Sequence, residues 1–176
     1  MKELKFENKD KLPLMGLGTW LSKSNEVYDA VIEAIQAGYR HIDCAYIYGN
    51  EKEIGRALAF AFSSGLVTRE EMFITSKLWN SDHAPKRVAM AIDKTLTDLK
   101  LDYLDLYLMH WPQTGTFLDC WKQMEQLYKE GYAKSIGVCN FKEHHFEELM
   151  QVAEIKPMVC QIESHPLFPQ NDMLMY

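Results

Sequence analysis

No stretch of this 176-residue chain stays apolar for the roughly 18 residues of a membrane-spanning helix. The opening Met1-Lys2-Glu3-Leu4-Lys5-Phe6 has no apolar core of signal-peptide length. Lys and Arg never gather into a run interleaved with aromatics, and the net charge is −6, which argues against a nucleic-acid groove. The four cysteines, Cys44, Cys120, Cys139 and Cys160, form no C-x-x-C pair. They suit the reduced thiols of a cytoplasmic protein rather than a disulfide framework or a zinc site. There is no H-E-x-x-H either: Glu143, His144, His145 and Glu147 read as solvated helix surface with the adjacent histidines diverging, and no metal is expected. No Pro-, Gly- or Ser-rich linker divides the chain, so residues 1–176 are read as one domain.

What is present is a regular alternation of strand and helix. Apolar residues recur at helical spacing in Val27, Ala30, Val31, Ala34 and Ile35, in Ile54, Ala57, Leu58, Ala61 and Phe62, and in Val88, Ala91, Ile92, Leu96 and Leu99. Two further stripes run through Leu118, Trp121, Met124 and Leu127, and through Phe146, Leu149, Met150 and Ala153. Asn50 with Glu53 reads as a capping box, Pro85 as a first helical turn, and Gly38, Gly65 and Gly131 as stops. Between these helices lie six apolar strands: Met15–Thr19, Tyr39–Asp43, Phe73–Lys77, Leu104–His110, Ser135–Cys139 and Met158–Ile162. Residues 4–13 read as a short hairpin able to cover the floor of a barrel.

Such alternation implies an α/β fold with a parallel sheet, either doubly wound or closed as a (β/α)8 barrel. A doubly wound nucleotide fold wants G-x-G-x-x-G after its first strand, and Gly16-Leu17-Gly18-Thr19-Trp20-Leu21 lacks the third glycine. Polar residues at successive strand ends favour the barrel, whose active sites form at that face. Asp43, Lys77 and His110 each end a strand, and Tyr48 follows the first of these. Lys77 lies 34 residues after Asp43 and His110 33 after Lys77. One strand–helix unit takes roughly 30 residues, so a chemically useful side chain recurs once per unit.

The chemistry of that set is proton transfer. A phenol with an unperturbed pKa of about 10 needs a nearby cation to favour its phenolate, and Lys77 beside Tyr48 is expected to lower it. Asp43 would hold Lys77 charged and aimed, while His110 can donate to an oxygen on which charge develops. Trp20, Trp79 and Trp111 follow strand ends and can wall an apolar pocket. Taken one by one, each has a plainer reading: Asp43 and Lys77 as a structural ion pair, Tyr48 as a packed aromatic with Tyr46 competing for its role, His110 as a core histidine, the tryptophans as packing. Their joint placement favours a site.

The motifs Gly16-Leu17-Gly18-Thr19-Trp20, Asp43-Cys44-Ala45-Tyr46-Ile47-Tyr48-Gly49-Asn50-Glu51, Ser76-Lys77-Leu78-Trp79, Leu108-Met109-His110-Trp111-Pro112, Ile136-Gly137-Val138-Cys139-Asn140-Phe141 and Gln161-Ile162-Glu163-Ser164-His165-Pro166 closely resemble the aldo-keto reductase superfamily. The resemblance implies a (β/α)8 TIM barrel that reduces an aldehyde or ketone with NADPH, monomeric at full length, with no nucleic-acid or membrane partner. It implies Asp43, Tyr48, Lys77 and His110 as the catalytic set, with Tyr48 as proton donor. It also places Thr19, Trp20, Asp43, Cys139, Asn140 and Gln161 at the cofactor, and Trp20, Tyr48, Trp79, His110 and Trp111 at the substrate. Many members carry serine where this chain has Cys139, which would soften a contact to the nicotinamide carboxamide. The short connection after Trp111 resembles prokaryotic members of the 2,5-diketo-gluconate reductase type. Relatives that serve as potassium-channel subunits carry asparagine at the position of His110, so the histidine here argues for an enzyme. A complete barrel takes about 250 residues, so the chain is expected to stop after the sixth strand, short of the segment that grips the 2′-phosphate and chooses between NADPH and NADH. A catalytically silent fragment is the remaining alternative.

Overall fold

The chain begins, in a computed structural model that describes residues 2–176, with an antiparallel hairpin of β1 (Glu3–Lys5) and β2 (Lys11–Pro13). Strand and helix then alternate: β3 (Leu17–Gly18), α1 (Ser24–Gln36), β4 (His41–Asp43), α2 (Glu51–Ser63), β5 (Phe73–Leu78), α3 (Pro85–Leu99), β6 (Leu104–Met109), α4 (Phe117–Lys129), β7 (Ala133–Cys139), α5 (Glu143–Leu149) and β8 (Cys160–Gln161). A short α6 (Asn171–Met175), absent from the expected set, follows the last strand. Strands β3 to β8 pair in chain order as one parallel sheet, with β3 and β8 at its edges. Both edge strands are shorter than the sequence implies, and so is β4 between its two partners. None of the helices among the described residues is long and apolar enough to cross a membrane.

Alternation along the strands gives the sheet two faces. Ile42, Ile74, Leu78, Tyr107, Met109, Ile136 and Val138 turn outward into the main core, where they meet Val31, Leu58, Ile92, Trp121 and Met124 from the helices. Phe73, Leu106, Leu108 and Cys139 turn inward and form a second cluster with Phe6 from the hairpin. Phe6 meets Phe73 edge-on with centroids 6.5 Å apart. The hairpin is pinned by Asn8, whose Nδ2 donates to Lys134 O at 2.9 Å, and by Ser135 Oγ, which donates to Asp10 Oδ2 at 2.7 Å. It therefore closes the N-terminal end of the sheet, as the sequence suggests.

Pro85 opens α3, and Gly38, Gly65 and Gly131 follow their helices with φ of 93°, 72° and 84°. The expected capping box at Asn50 is not formed. Asn50 precedes α2 but its side chain makes no cap bond; its Nδ2 instead donates to Thr19 O at 2.9 Å and Ser22 O at 3.1 Å. Two carbonyls of the β3–α1 loop thereby gain a side-chain donor that the helix end forgoes. Gly55 lets α2 approach α3, since a side-chain carbon there would collide with the Asp98 carbonyl and the Leu99 backbone. On α5, His144 and His145 do not diverge: their rings lie 3.9 Å apart, with no group of three metal-ligating side chains among the described residues.

Removing the floor plug should be costly. Phe6→Ala is expected to lower the unfolding free energy by about 3 kcal/mol, read from urea denaturation, while Leu4→Ala on the half-exposed hairpin strand changes it by less than about 0.5 kcal/mol.

Candidate active site

The C-terminal ends of β4, β5 and β6 bring one acid, one ammonium and one imidazole together. Asp43 ends β4, Lys77 is the penultimate residue of β5, and His110 follows β6, its N–H bonded to Leu78 O at 3.1 Å. Tyr48 arrives from the 3₁₀ turn Tyr46–Tyr48, which Gly49 closes in the left-handed conformation at φ 69°. Lys77 is 2% exposed. Its Nζ makes a short ion pair with Asp43 Oδ1 and donates to Cys44 O at 3.0 Å and to Tyr48 Oη at 3.3 Å. All three ammonium hydrogens are thus spent.

Burial by itself would pull the Lys77 ammonium down, but the charges of Asp43 and Tyr48 and the Asp43 hydrogen bond outweigh it, and the net direction is up. Tyr48 departs from expectation. Loss of solvation raises its phenol more than the Lys77 charge and hydrogen bond lower it, so it holds its proton above the ordinary range. His110 is pushed down to about 4, first by burial and then by the Lys77 charge. It is therefore neutral near pH 7. Its ring stands edge-on to Trp79 at 5.1 Å and to Tyr48 at 5.8 Å, Nδ1 is buried without a partner, and its carbonyl accepts from Asn140 Nδ2 at 2.9 Å.

Above this group opens a cavity of about 920 Å³. Trp20, Ile47, Tyr48, Trp79, His110 and Trp111 line it, together with Asp43, Asn140 and Gln161. Trp20 lies 4.8 Å from the Tyr48 ring. Gln161 Nε2 donates to Asp43 Oδ2 at 2.9 Å, and Cys139 Sγ donates to Gln161 Oε1 at 3.6 Å. Cys139 and Thr19 reach the same end of the sheet but not the cavity wall. Cys139 is buried in the inner apolar cluster, its thiol raised by loss of solvation, and Thr19 spends both its N–H and its hydroxyl on Asp43 O, each at 3.0 Å. Ile47 and Glu51 were not singled out from the sequence, and Asn50 was read only as a helix cap. Ile47 could have been found beside Tyr48, and Glu51 because it falls on the buried stripe with Ile54 and Leu58.

A lowered imidazole has a signed consequence. The unfolded chain binds a proton at His110 near pH 6.5 and the folded chain near 4. The contribution of His110 to stability is therefore complete above about pH 6.5 and declines as pH falls toward 4. Nitrogen NMR should show His110 neutral from about pH 8 down to about pH 5; an imidazolium at pH 6 would contradict this environment.

Residues 14–176 match the model of the aldo/keto reductase family. Curated relatives include aldo-keto reductase family 1 member A1 of Xenopus tropicalis, 46% identical over 94% of this chain and 57% of its own length. The mouse protein of the same name is 45% identical over 93% of this chain and 57% of its own. The chain thus spans little more than half the length of these relatives. Among solved structures, the aldose reductase of Schistosoma japonicum is 43% identical with a TM-score of 0.95, covering 100% of this chain and 65% of its own. The Bombyx mori aldo-keto reductase in complex with NADP is 37% identical with a TM-score of 0.94, covering 99% of this chain and 62% of its own. Animal proteins stand prominently among these relatives, so the expected grouping with prokaryotic members does not follow from them. The open parallel sheet corresponds to part of the barrel that these structures share, and the chain belongs to the aldo/keto reductase family.

Proposed function

We propose that these residues carry the proton-transfer machinery of an NADPH-dependent reductase of small aldehydes and ketones, a cytoplasmic protein that is monomeric at full barrel length and whose residues 1–176 belong to one domain. The observation that carries this reading is the Lys77 ammonium bonded at once to Asp43, the Cys44 carbonyl and a Tyr48 phenol that faces the cavity.

Asn140 and Gln161 in the cavity lining suit the nicotinamide end of the cofactor, since their side-chain amides can exchange hydrogen bonds with a carboxamide. No Lys or Arg lines this cavity among the described residues, so nothing in it grips a 2′-phosphate. Trp20, Asp43, Asn140 and Gln161 would hold the cofactor directly, while Thr19 and Cys139 would act through Asp43 and Gln161. When bound, NADPH supplies the hydride for the carbonyl carbon. The chain supplies the proton. Tyr48 keeps it until a carbonyl oxygen takes on charge, then gives it up from Oη, and Lys77 stabilises the phenolate left behind. Asp43 keeps the ammonium charged. Neutral His110 orients the oxygen, and Trp20, Trp79 and Trp111 exclude water around the apolar remainder of the substrate. An auxiliary binding subunit is the rival reading, and the histidine at position 110 disfavours it.

The test is loss of NADPH absorbance with aliphatic and aromatic aldehydes, run on the 176-residue chain and on the same residues continued to full barrel length. Turnover confined to the longer form would mark the shorter one as catalytically silent. Tyr48→Phe should lower kcat at least about 100-fold while leaving NADPH affinity intact; turnover equal to wild type would remove Tyr48 as the acid. Cys139→Ser should keep NADPH affinity within about threefold, because a hydroxyl donates to Gln161 at least as well as a thiol. A large loss, shared by Cys139→Ala, would mean that packing around sulfur dominates.

A further inference from the structure

We infer that Glu51 is a positioning residue for the proton donor: from the outer face of the sheet it fastens the turn carrying Tyr48 to the strands carrying Asp43 and Lys77. The inference rests on the reading of Tyr48 as the acid. Side chains alternate across a strand, so Cys44 and Ser76, the neighbours of inward-facing Asp43 and Lys77, point out behind the sheet. Glu51 opens α2 three residues after Tyr48 and meets both. Its Oε1 accepts from Ser76 Oγ at 2.6 Å and from Cys44 Sγ at 3.8 Å, and its Oε2 accepts from Thr95 Oγ1 of α3 at 3.2 Å. The Cys44 thiol shares its one hydrogen with Thr75 O at 3.2 Å, so the Ser76 bond is the stronger link. One carboxylate, on the first residue of the helix that begins where the Tyr48 turn ends, thereby touches a chain neighbour of Asp43, a chain neighbour of Lys77, and Thr95 of α3.

A carboxylate is an expensive side chain to place there. Glu51 is 3% exposed, on the same stripe as Ile54 and Leu58, where an apolar residue would bury without penalty. Loss of solvation raises its pKa, Ser76 and Thr95 hydrogen bonds lower it in part, Asp98 raises it further and Lys94 opposes Asp98. Cys44 and, from β6, Tyr107 also feel its charge. An apolar side chain would fill the volume but would leave the Tyr48 turn free to slide against β5. Asn50 secures the other side of the same turn by holding Thr19 O and Ser22 O of the loop that bears Trp20. The 3.3 Å contact from Lys77 Nζ to Tyr48 Oη is what these two anchors hold constant.

The experiment places a fluorinated tyrosine at Tyr48 and follows its phenol titration by fluorine NMR in the 176-residue chain. This readout is independent of NADPH turnover, so failure of the reductase reading and failure of this inference are told apart. Glu51→Ala should raise the Tyr48 titration by about one unit, a tenfold change in proton affinity, as Lys77 loses its contact. In a full-length barrel the same change should lower kcat on the order of 100-fold with KM nearly unchanged. Glu51→Gln keeps an acceptor oxygen of the same reach and should retain the wild-type titration. Ser76→Ala, which removes a single hydroxyl, should shift Tyr48 in the same direction as Glu51→Ala but by less. The inference is overturned if Glu51→Ala or, should that variant not fold, Ser76→Ala leaves the Tyr48 titration unmoved. It is overturned equally if Glu51→Gln shifts the titration as far as Glu51→Ala, which would place the effect in the charge rather than in the grip.

Discussion

A fully paired ammonium under the sheet's open end is the interaction on which the rest of the site depends. An unpaired charge at the depth of Lys77 would cost several kcal/mol, so Asp43, Cys44 O and Tyr48 Oη are required partners as much as they are chemical ones. Each partner is fixed in turn by a different element. Gln161 of β8 holds the second oxygen of Asp43, Thr19 after β3 holds its carbonyl, and the 3₁₀ turn after β4 delivers the phenol. Strands far apart in the chain are thereby tied to one nitrogen.

The electrostatics follow from layering inside the sheet. At the floor, Phe6, Phe73, Leu106 and Leu108 make a dry apolar plug. One layer up, His41 Nε2 and Thr75 Oγ1 pair at 2.9 Å. Asp43, Lys77 and His110 sit above that, Asp43 and His110 lining the cavity and Lys77 buried behind them. With apolar packing beneath and aromatic walls beside them, charged forms lose solvation, so the Tyr48 phenol moves up, the His110 imidazole moves down and only the paired Lys77 resists. The same layering accounts for the neutral state of the two groups nearest the expected substrate.

Much of this was legible from residue order. Asp43, Lys77 and His110 recur at the spacing of one strand–helix unit, and the parallel sheet with its hairpin floor follows from the apolar stripes and from Phe6 at the hairpin. Other features were hidden because they depend on partners distant in sequence. Asn50 looks like a helix cap until the Thr19 and Ser22 carbonyls 31 and 28 residues away claim its amide. Cys139 and Thr19 belong to the right strand ends, yet burial keeps both from the cavity wall. The direction of the Tyr48 shift could not be read from Lys77 alone, because it is opposed by loss of solvation, to which every atom that displaces water contributes.

By itself, then, the sequence determined which side chains arrive at the active face, because strand periodicity and helix punctuation are local properties of neighbouring residues. Only the tertiary structure decided what those side chains are once there: which hydrogens Lys77 spends, which carbonyls Asn50 satisfies, and why Glu51 lies buried behind the sheet gripping Ser76 and Thr95. Protonation states and hydrogen-bond partners depend on solvent exclusion and on distances between segments 25 to 118 residues apart, and these exist only when the sheet and its helices have packed together.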